Sequence, residues 1–171
     1  IFQFSPSSSE ILYTKCGTNA SLSGISKNIH VTKSPGIAKT YEAITQYLGW
    51  QELEAGKTMG LSSYGSFNKD IPPLFFNGSG DCNYFNNFYP ASSTLDTLNI
   101  PSIPPPSSNE WHKDSNKVTQ LQKDLAWRVQ KDTQEEVAKL IENTIKETGI
   151  KQICCSGGYF LNCVANYYLK K

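Results

Sequence analysis

The sharpest chemical signal in the sequence is a run of small residues near its end. Ile150 to Cys155 reads as a short buried strand, Ser156-Gly157-Gly158 follows, and a helix from Tyr159 to Leu169 starts at once. Paired glycines carry no Cβ, so another backbone or a phosphate can approach them closely. A helix that begins there aims its unpaired amides and the positive end of its dipole at the same spot. Taken alone the pair is a weak signal, because tight strand-to-helix turns are common. A second signal is the glycine-punctuated stretch Gly56-Lys57-Thr58-Met59-Gly60-Leu61-Ser62-Ser63-Tyr64-Gly65. Gly56-Lys57-Thr58 invites a P-loop reading, but that motif needs a glycine five positions upstream, where Gln51 stands, and no strand leads in. What remains is a loop whose Lys57 and Gly60 are candidates to receive a phosphate or a carboxylate, against the alternative of a solvated loop.

Other reactive side chains are scattered. His30 and His112 have no carboxylate or cysteine partner at ligand spacing, so one reads as a strand histidine and the other as a loop histidine. Arg128, the only arginine, is expected on a solvent face as an i,i+4 partner of Asp124 or Asp132. Phe75-Phe76, Tyr84, Phe85, Phe88 and Tyr89 could form a binding platform, although core packing is the commoner fate of such a cluster. The five cysteines, Cys16, Cys82, Cys154, Cys155 and Cys163, are odd in number and irregular in spacing, and no CxxC occurs. That argues against a disulfide scaffold and against a zinc site, and reduced cysteines in a cytosolic protein are the better reading. Asn19 and Asn77 match the glycosylation pattern, which carries little weight without a secretory signal.

Composition narrows the classes further. Sixteen basic and fifteen acidic residues among 171 give a net charge of +1, too balanced for a nucleic-acid footprint or an acidic tail. Polarity comes from 19 Ser and 13 Asn rather than from charge, and no apolar run approaches the roughly 18 residues of a membrane span. The first residue is Ile1 and no signal peptide is visible, so the sequence reads as an excerpt of a longer polypeptide.

The elements that must position these residues follow from spacing. Ile11-Leu12-Tyr13 and Ile29-His30-Val31 are strand-like, with turns at Gly17-Thr18-Asn19 and Ser23-Gly24, which predicts an antiparallel meander of two or three strands. Ser34-Pro35 announces a helix with Ser as N-cap and Pro at the first helical position. Ile37, Tyr41, Ile44 and Leu48 line one face of it, and Gly49 ends it. Residues 51–110 read as mostly irregular, with five prolines between Pro90 and Pro106. From about Val118 to Thr148 one long helix carries a stripe of Leu121, Leu125, Val129, Val137, Leu140, Ile141 and Ile145, with Trp127 at its margin and Gly149 closing it.

Four ordered segments together resemble one family. Ser34 to Trp50 (SPGIAKTYEAITQYLGW) and Gly56 to Gly65 (GKTMGLSSYG) are similar to two of its patterns. Asp124 to Gln130 (DLAWRVQ) and Ile153 to Asn166 (ICCSGGYFLNCVAN) are similar to two more. The family is that of the O-carbamoyltransferases, which includes nodulation-factor, cephamycin and aminoglycoside carbamoyltransferases. The resemblance covers roughly residues 1–171, with a variable middle at 66–115. It implies an α/β fold of the actin-like ATPase (ribonuclease H-like) kind, incomplete in this chain. Residues 1–65 would supply the strand meander, helix and Gly-Lys loop, 66–115 a variable insert, and 116–171 the long helix, strand, Gly-Gly turn and final helix.

The family likeness further implies an ATP-dependent transfer of a carbamoyl group to a small-molecule hydroxyl acceptor. A YrdC-like domain elsewhere in the polypeptide would make carbamoyl adenylate from ATP and carbamoyl phosphate. Gly157, Gly158 and Asn162 would line the adenine-nucleotide pocket. A divalent metal, iron or manganese, would be held by ligands outside this chain, histidines before residue 1 and an aspartate after residue 171. No nucleic acid and no membrane are implied as partners. Ser5-Pro6 falls where the family has an Asp-Gly phosphate turn, Ser62-Ser63 replaces Ala-Pro, and Pro35 replaces Leu. These departures leave room for the alternative, a catalytically inactive nucleotide-binding or interaction module of the same fold.

Overall fold

The structure is a computed structural model that describes residues 1–5, 7–11, 14–17, 29–32, 36–75, 100 and 118–170. Strands β1 (Phe2–Ser5) and β2 (Ser8–Ile11) pair antiparallel, with Phe2 opposite Ile11 and Ser5 opposite Ser8. The Ser8 amide donates to Ser5 Oγ at 3.1 Å across the turn. Strands β3 (Thr14–Gly17) and β4 (Ile29–Thr32) pair parallel, so the expected antiparallel meander is corrected there. The physical reason is the connection: residues 18–28 offer nearly the dozen residues that a crossover takes, where a hairpin needs only a few. Gly17, expected in a turn, is the last residue of β3, and His30 lies in β4. The proposed turns at 18–24, Ser34, Pro35, Cys82, His112 and the aromatics from Phe76 to Tyr89 lie outside the described residues.

Helix α1 (Ile37–Tyr47) is N-capped by Gly36, two residues later than the expected Ser34 cap. It ends in a Schellman arrangement: Gly49, at φ 93°, donates to Gln46 O at 2.8 Å, and Trp50 donates to Thr45 O at 3.2 Å. A single 3-10 turn (Glu52–Glu54) then leads directly into helix α2 (Ala55–Ser62). The predicted glycine loop is therefore a helix. Glycine lowers helix propensity, but local capping and packing win here. The Gln51 amide is capped by Glu54 Oε2 at 3.0 Å, and Thr58 bonds Thr45 of α1 through a buried 2.8 Å hydroxyl contact. Gly65 then passes so close to the next helix that a Cβ would sit 2.0 Å from Lys123 O, so only glycine allows the approach.

Helix α3 (Gln120–Thr148) is the long helix expected from the stripe. The Thr119 amide donates to Gln122 Oε1 at 2.8 Å, and Gly149, at φ 71°, donates to Ile145 O at 2.8 Å, so both ends are capped. Leu125 and Val129 are wholly buried and Val137 nearly so, whereas Leu140 is 39% exposed. Leu121, Ile141 and Ile145 are half-buried. The core lies where α1, α2 and the first half of α3 meet, with Ile44, Leu48, Ile71, Leu74 and Ile100 packed around Leu125 and Val129.

Charged residues of α3 grip the chain that follows α2. Asp124 accepts from the Ser66 amide (3.0 Å) and from Asn68 Nδ2 (3.1 Å), Arg128 donates to Ile71 O (3.1 Å), and Asp132 accepts from the Leu74 amide (2.8 Å). Arg128 is i,i+4 to Asp132 as expected, at 3.4 Å. Its place is nonetheless corrected: it is 7% exposed, beneath Phe67 with the ring centroid 5.3 Å from the guanidinium carbon, and not on a solvent face. Residues 66–74 have no ladder of their own, so buried side chains supply the partners their backbone needs.

After Gly149 the chain runs without regular structure to a 3-10 turn (Gly158–Leu161) and helix α4 (Cys163–Leu169). The buried strand predicted for Ile150 to Cys155 is corrected, since residues 151–156 are exposed and unpaired by any strand among the described residues. A strand needs a neighbour to receive its backbone groups, and apolar composition alone does not provide one. No helix among the described residues is long and apolar enough to cross a membrane.

Candidate functional site

Three elements converge on one cleft of about 400 Å³. Ala38, Tyr41 and Glu42 of α1 form one wall. Leu53, Ala55, Gly56 and Met59 form a second, and Gly158, Tyr159, Leu161 and Asn162 a third. Most of this lining is aliphatic or aromatic. Glu42 is the lining carboxylate, and Lys39 pairs with it at 2.6 Å.

The glycine turn owes its shape to two different demands. Gly157 has φ 105°, a left-handed conformation that a side chain strains, whereas Gly158 has ordinary φ and nothing within 4 Å of where a Cβ would stand. Gly158 therefore leaves room and Gly157 makes the bend. Asn162, expected one turn inside the last helix, is instead the N-cap of α4: its Oδ1 accepts from the Ala165 amide at 3.0 Å. The helix begins later than expected because the 3-10 turn intervenes.

A network of neutral hydrogen bonds ties the cleft to α3. The Tyr41 hydroxyl donates to Gln130 Oε1 (2.9 Å), Asn162 Nδ2 donates to the same oxygen (2.8 Å), and Gln130 Nε2 donates to Asn162 Oδ1 (3.3 Å). The Tyr159 hydroxyl donates to Thr133 Oγ1 at 3.1 Å, and its ring meets Tyr41 edge-on at 6.3 Å. Burial raises the Tyr41 phenol well above its ordinary range. The nearby Tyr159 adds to the rise, and a hydrogen bond with Asn162 only partly offsets it. Burial pushes Tyr159 up to about 12, a hydrogen bond with Thr133 offsetting part of the rise. Neither phenol can act as a base near neutrality.

Of the residues singled out in the sequence, Gly158 and Asn162 line the cleft and Gly157 shapes its turn. Lys57 and Gly60 do not line it. Lys57 projects from α2 and is ion-paired with Glu54, so the proposed receiving loop is a helix whose neighbours Gly56 and Met59 face the cleft instead. Tyr41, Gln130 and Tyr159 were not singled out as site residues. Tyr41 reads as one more member of an apolar stripe, and Gln130 as the end of the segment DLAWRVQ. Cys163 Sγ lies 3.8 Å from Met59 Sδ, a second place where the two distant segments touch. Among the described residues no three His, Cys, Asp or Glu side chains gather to hold a cation.

The family comparison agrees with this convergence of motifs. Residues 11–171 match the model of the carbamoyltransferase N-terminus, and the chain belongs to that family. An uncharacterized protein of Synechocystis sp. (sll1178) is 31% identical over 154 residues, which covers 81% of this chain and 23% of that protein. The chain thus spans about a quarter of the relative it matches. No solved structure matches it.

Proposed function

We propose that the chain is part of the actin-like domain of an ATP-dependent O-carbamoyltransferase, and that its cleft receives the nucleotide end of ATP and of carbamoyl adenylate. The observation that carries this reading is the meeting of two segments about a hundred residues apart in sequence. Gly158 and Asn162 stand across one cleft from Gly56 and Met59. The lining is mostly uncharged and rich in apolar and aromatic groups, which suits a planar heterocycle better than a bare phosphate chain. Tyr159, Leu53 and Met59 would contact the ring, and the space over Gly158 would admit the ribose.

The rest of the reaction belongs to the rest of the polypeptide. A YrdC-like domain would form the carbamoyl adenylate from ATP and carbamoyl phosphate, and a small-molecule hydroxyl would accept the carbamoyl group. A divalent metal, iron or manganese, would be held by residues outside this chain and would supply Lewis-acid chemistry there. With no cation cluster among the described residues, no step is assigned to a metal within this chain. Within these residues the work is binding and exclusion of water, in a cytoplasmic setting that supplies ATP and keeps Cys154, Cys155 and Cys163 reduced.

Calorimetric titration of the full-length protein with ATP, beside a melting curve, tests the reading. At Gly158 the backbone φ is ordinary and an added Cβ would meet nothing within 4 Å in the free protein, which makes Gly158→Val the variant of choice. It should therefore weaken ATP at least about tenfold, roughly 1.4 kcal/mol, while barely moving the melting temperature. Asn162→Ala should lower affinity by roughly 0.5–1.5 kcal/mol and should also destabilise, because it removes a cap. Unchanged ATP affinity in Gly158→Val would end the nucleotide reading. ATP binding without acceptor-dependent consumption of carbamoyl phosphate would leave the inactive binding module in its place.

A further inference from the structure

Of the two polar joints between α3 and the cleft, one carboxamide, that of Gln130, meets both Tyr41 and Asn162. We propose that Gln130 is the positioning residue of this site, clamping Tyr41 and Asn162 so that the glycine turn is held in its ligand-receiving shape. The inference rests on the nucleotide reading for what the site receives, but the clamp itself rests on geometry.

Asn162 cannot choose its orientation freely. Its Oδ1 must face the Ala165 amide, 3.0 Å away, to cap α4. Its Nδ2 is thereby turned to Gln130 Oε1 at 2.8 Å, and its Oδ1 also faces Gln130 Nε2 at 3.3 Å. An amide carries its acceptor and its donors on different atoms, so two facing amides lock each other's flip state. The Tyr41 hydroxyl donates to the same Gln130 oxygen at 2.9 Å, which joins α1 to the turn through one atom. Gln130 is itself carried by the most buried stretch of α3, beside Leu125, Ala126 and Val129. It is not among the residues lining the cleft, so it acts through its two partners.

A substitution exists that reproduces the clamp in one protonation state only. A protonated Glu at this position offers one carbonyl acceptor to Tyr41 and Asn162 Nδ2, and one hydroxyl donor to Asn162 Oδ1, as the amide does. An ionised Glu is acceptor-only and sets negative charge against Asn162 Oδ1, which the Ala165 amide prevents from turning away. Burial favours the protonated form and would bring the titration toward neutrality. The titratable groups around the position are Tyr41 on α1 and Tyr159 in the turn, both held protonated through neutral pH by burial. The charged residue lining the cleft is Glu42, paired with Lys39 on α1, and the Lys57–Glu54 pair lies outside the lining at α2. Gln134, which accepts from Gln130 Nε2 at 3.3 Å, is neutral.

The test is the ATP dissociation constant of full-length Gln130→Glu, relative to the unsubstituted protein at each pH between 5 and 8.5. It should lie within about threefold of the unsubstituted protein at the acid end and weaken at least tenfold as pH rises. Gln130→Met, apolar at every pH, should be weakened at least tenfold throughout. A residue that merely stabilises the fold would shift melting but leave the affinity of the folded protein flat. A flat Gln130→Glu ratio would therefore overturn the proposal, as would undiminished affinity in Gln130→Met. If Gln130→Met does not fold, the Gln130→Glu profile decides alone. If the unsubstituted protein binds no ATP at any pH, the nucleotide reading fails. The clamp is then judged by a stability cycle of Gln130→Glu at pH 8 with Asn162→Ala and with Tyr41→Phe. Strong non-additivity in both cycles supports it, and additive losses overturn it.

Discussion

Helix α3 holds two neighbours by two kinds of polar contact. Toward residues 66–74 it uses charge: Asp124, Arg128 and Asp132, four residues apart, receive or donate to backbone groups of that segment. Toward the cleft it uses only neutral groups, the Gln130 amide and the Thr133 hydroxyl, which meet Tyr41, Asn162 and Tyr159. Hydrogen bonds to charged groups are stronger, and removing one partner of a buried pair is costly. The charged side therefore fastens a segment that has no secondary structure of its own. The neutral side leaves the cleft without fixed charge from α3, so a ligand meets apolar surface and amides. The two sides should also differ in their response to pH.

Arg128→Ala should have the largest effect, on the order of 3–5 kcal/mol of stability at pH 8, because it strands Asp132 beside the core. Burial already raises the Asp132 carboxyl above its ordinary value, with the Leu74 amide and Arg128 only partly opposing it. Without Arg128 the rise grows. A carboxyl raised in the folded state favours folding below its unfolded value and loses that advantage as pH climbs through the folded value. Denaturant unfolding of Arg128→Ala should therefore show smaller losses near pH 5 than at pH 8. A loss independent of pH would mean that the Arg128 contribution is packing against Phe67 and Trp127, not charge.

Asp124→Asn comes next, at about 1–3 kcal/mol near pH 7. Burial alone would raise the Asp124 carboxyl, but hydrogen bonds from Gln120, the Ser66 amide and Asn68 together hold it below its ordinary value. The sign is opposite to that of Asp132: its stability is present above the unfolded value, about 3.9, and is lost as pH falls through the folded one. Acid unfolding followed from pH 6 to 2 should be shallower in Asp124→Asn than in the unsubstituted chain. Parallel curves would show that Asp124 is not the group that titrates.

The same contrast explains what could be read from the sequence. Helices α1 and α3 were legible because a stripe at three- and four-residue spacing and a closing glycine are local signals, and Gly49 and Gly149 do close them. Helix α2 was not, because Gly56 and Gly60 argue for a loop until Thr58 finds Thr45. The Asp124–Arg128–Asp132 ladder was read as solvent-facing because spacing alone cannot distinguish a surface ion pair from a pair that serves a crossing segment. At the cleft, Gly157, Gly158 and Asn162 stood out by residue type. Tyr41 and Gln130 did not, since their contact joins positions 89 apart in sequence and no local pattern announces it.

The smallest effect should come from the neutral side. Thr133→Val keeps the shape of a wholly buried side chain and removes the oxygen that accepts from Tyr159. The Thr133 hydroxyl also donates to Val129 O at 2.6 Å, but that carbonyl belongs to the helix and keeps its backbone bond. What is lost is one neutral hydrogen bond to a half-buried phenol that can turn toward water, so the cost should be about 0.5–1 kcal/mol. It should also be flat between pH 5 and 9, because Tyr159, pushed up to about 12, does not ionise there. Melting curves of Thr133→Val and Arg128→Ala collected at both ends of that range place the two sides of α3 on one scale. A Thr133→Val loss as large as that of Arg128→Ala, or one that changes with pH, would erase the distinction between a charged clasp and a neutral one.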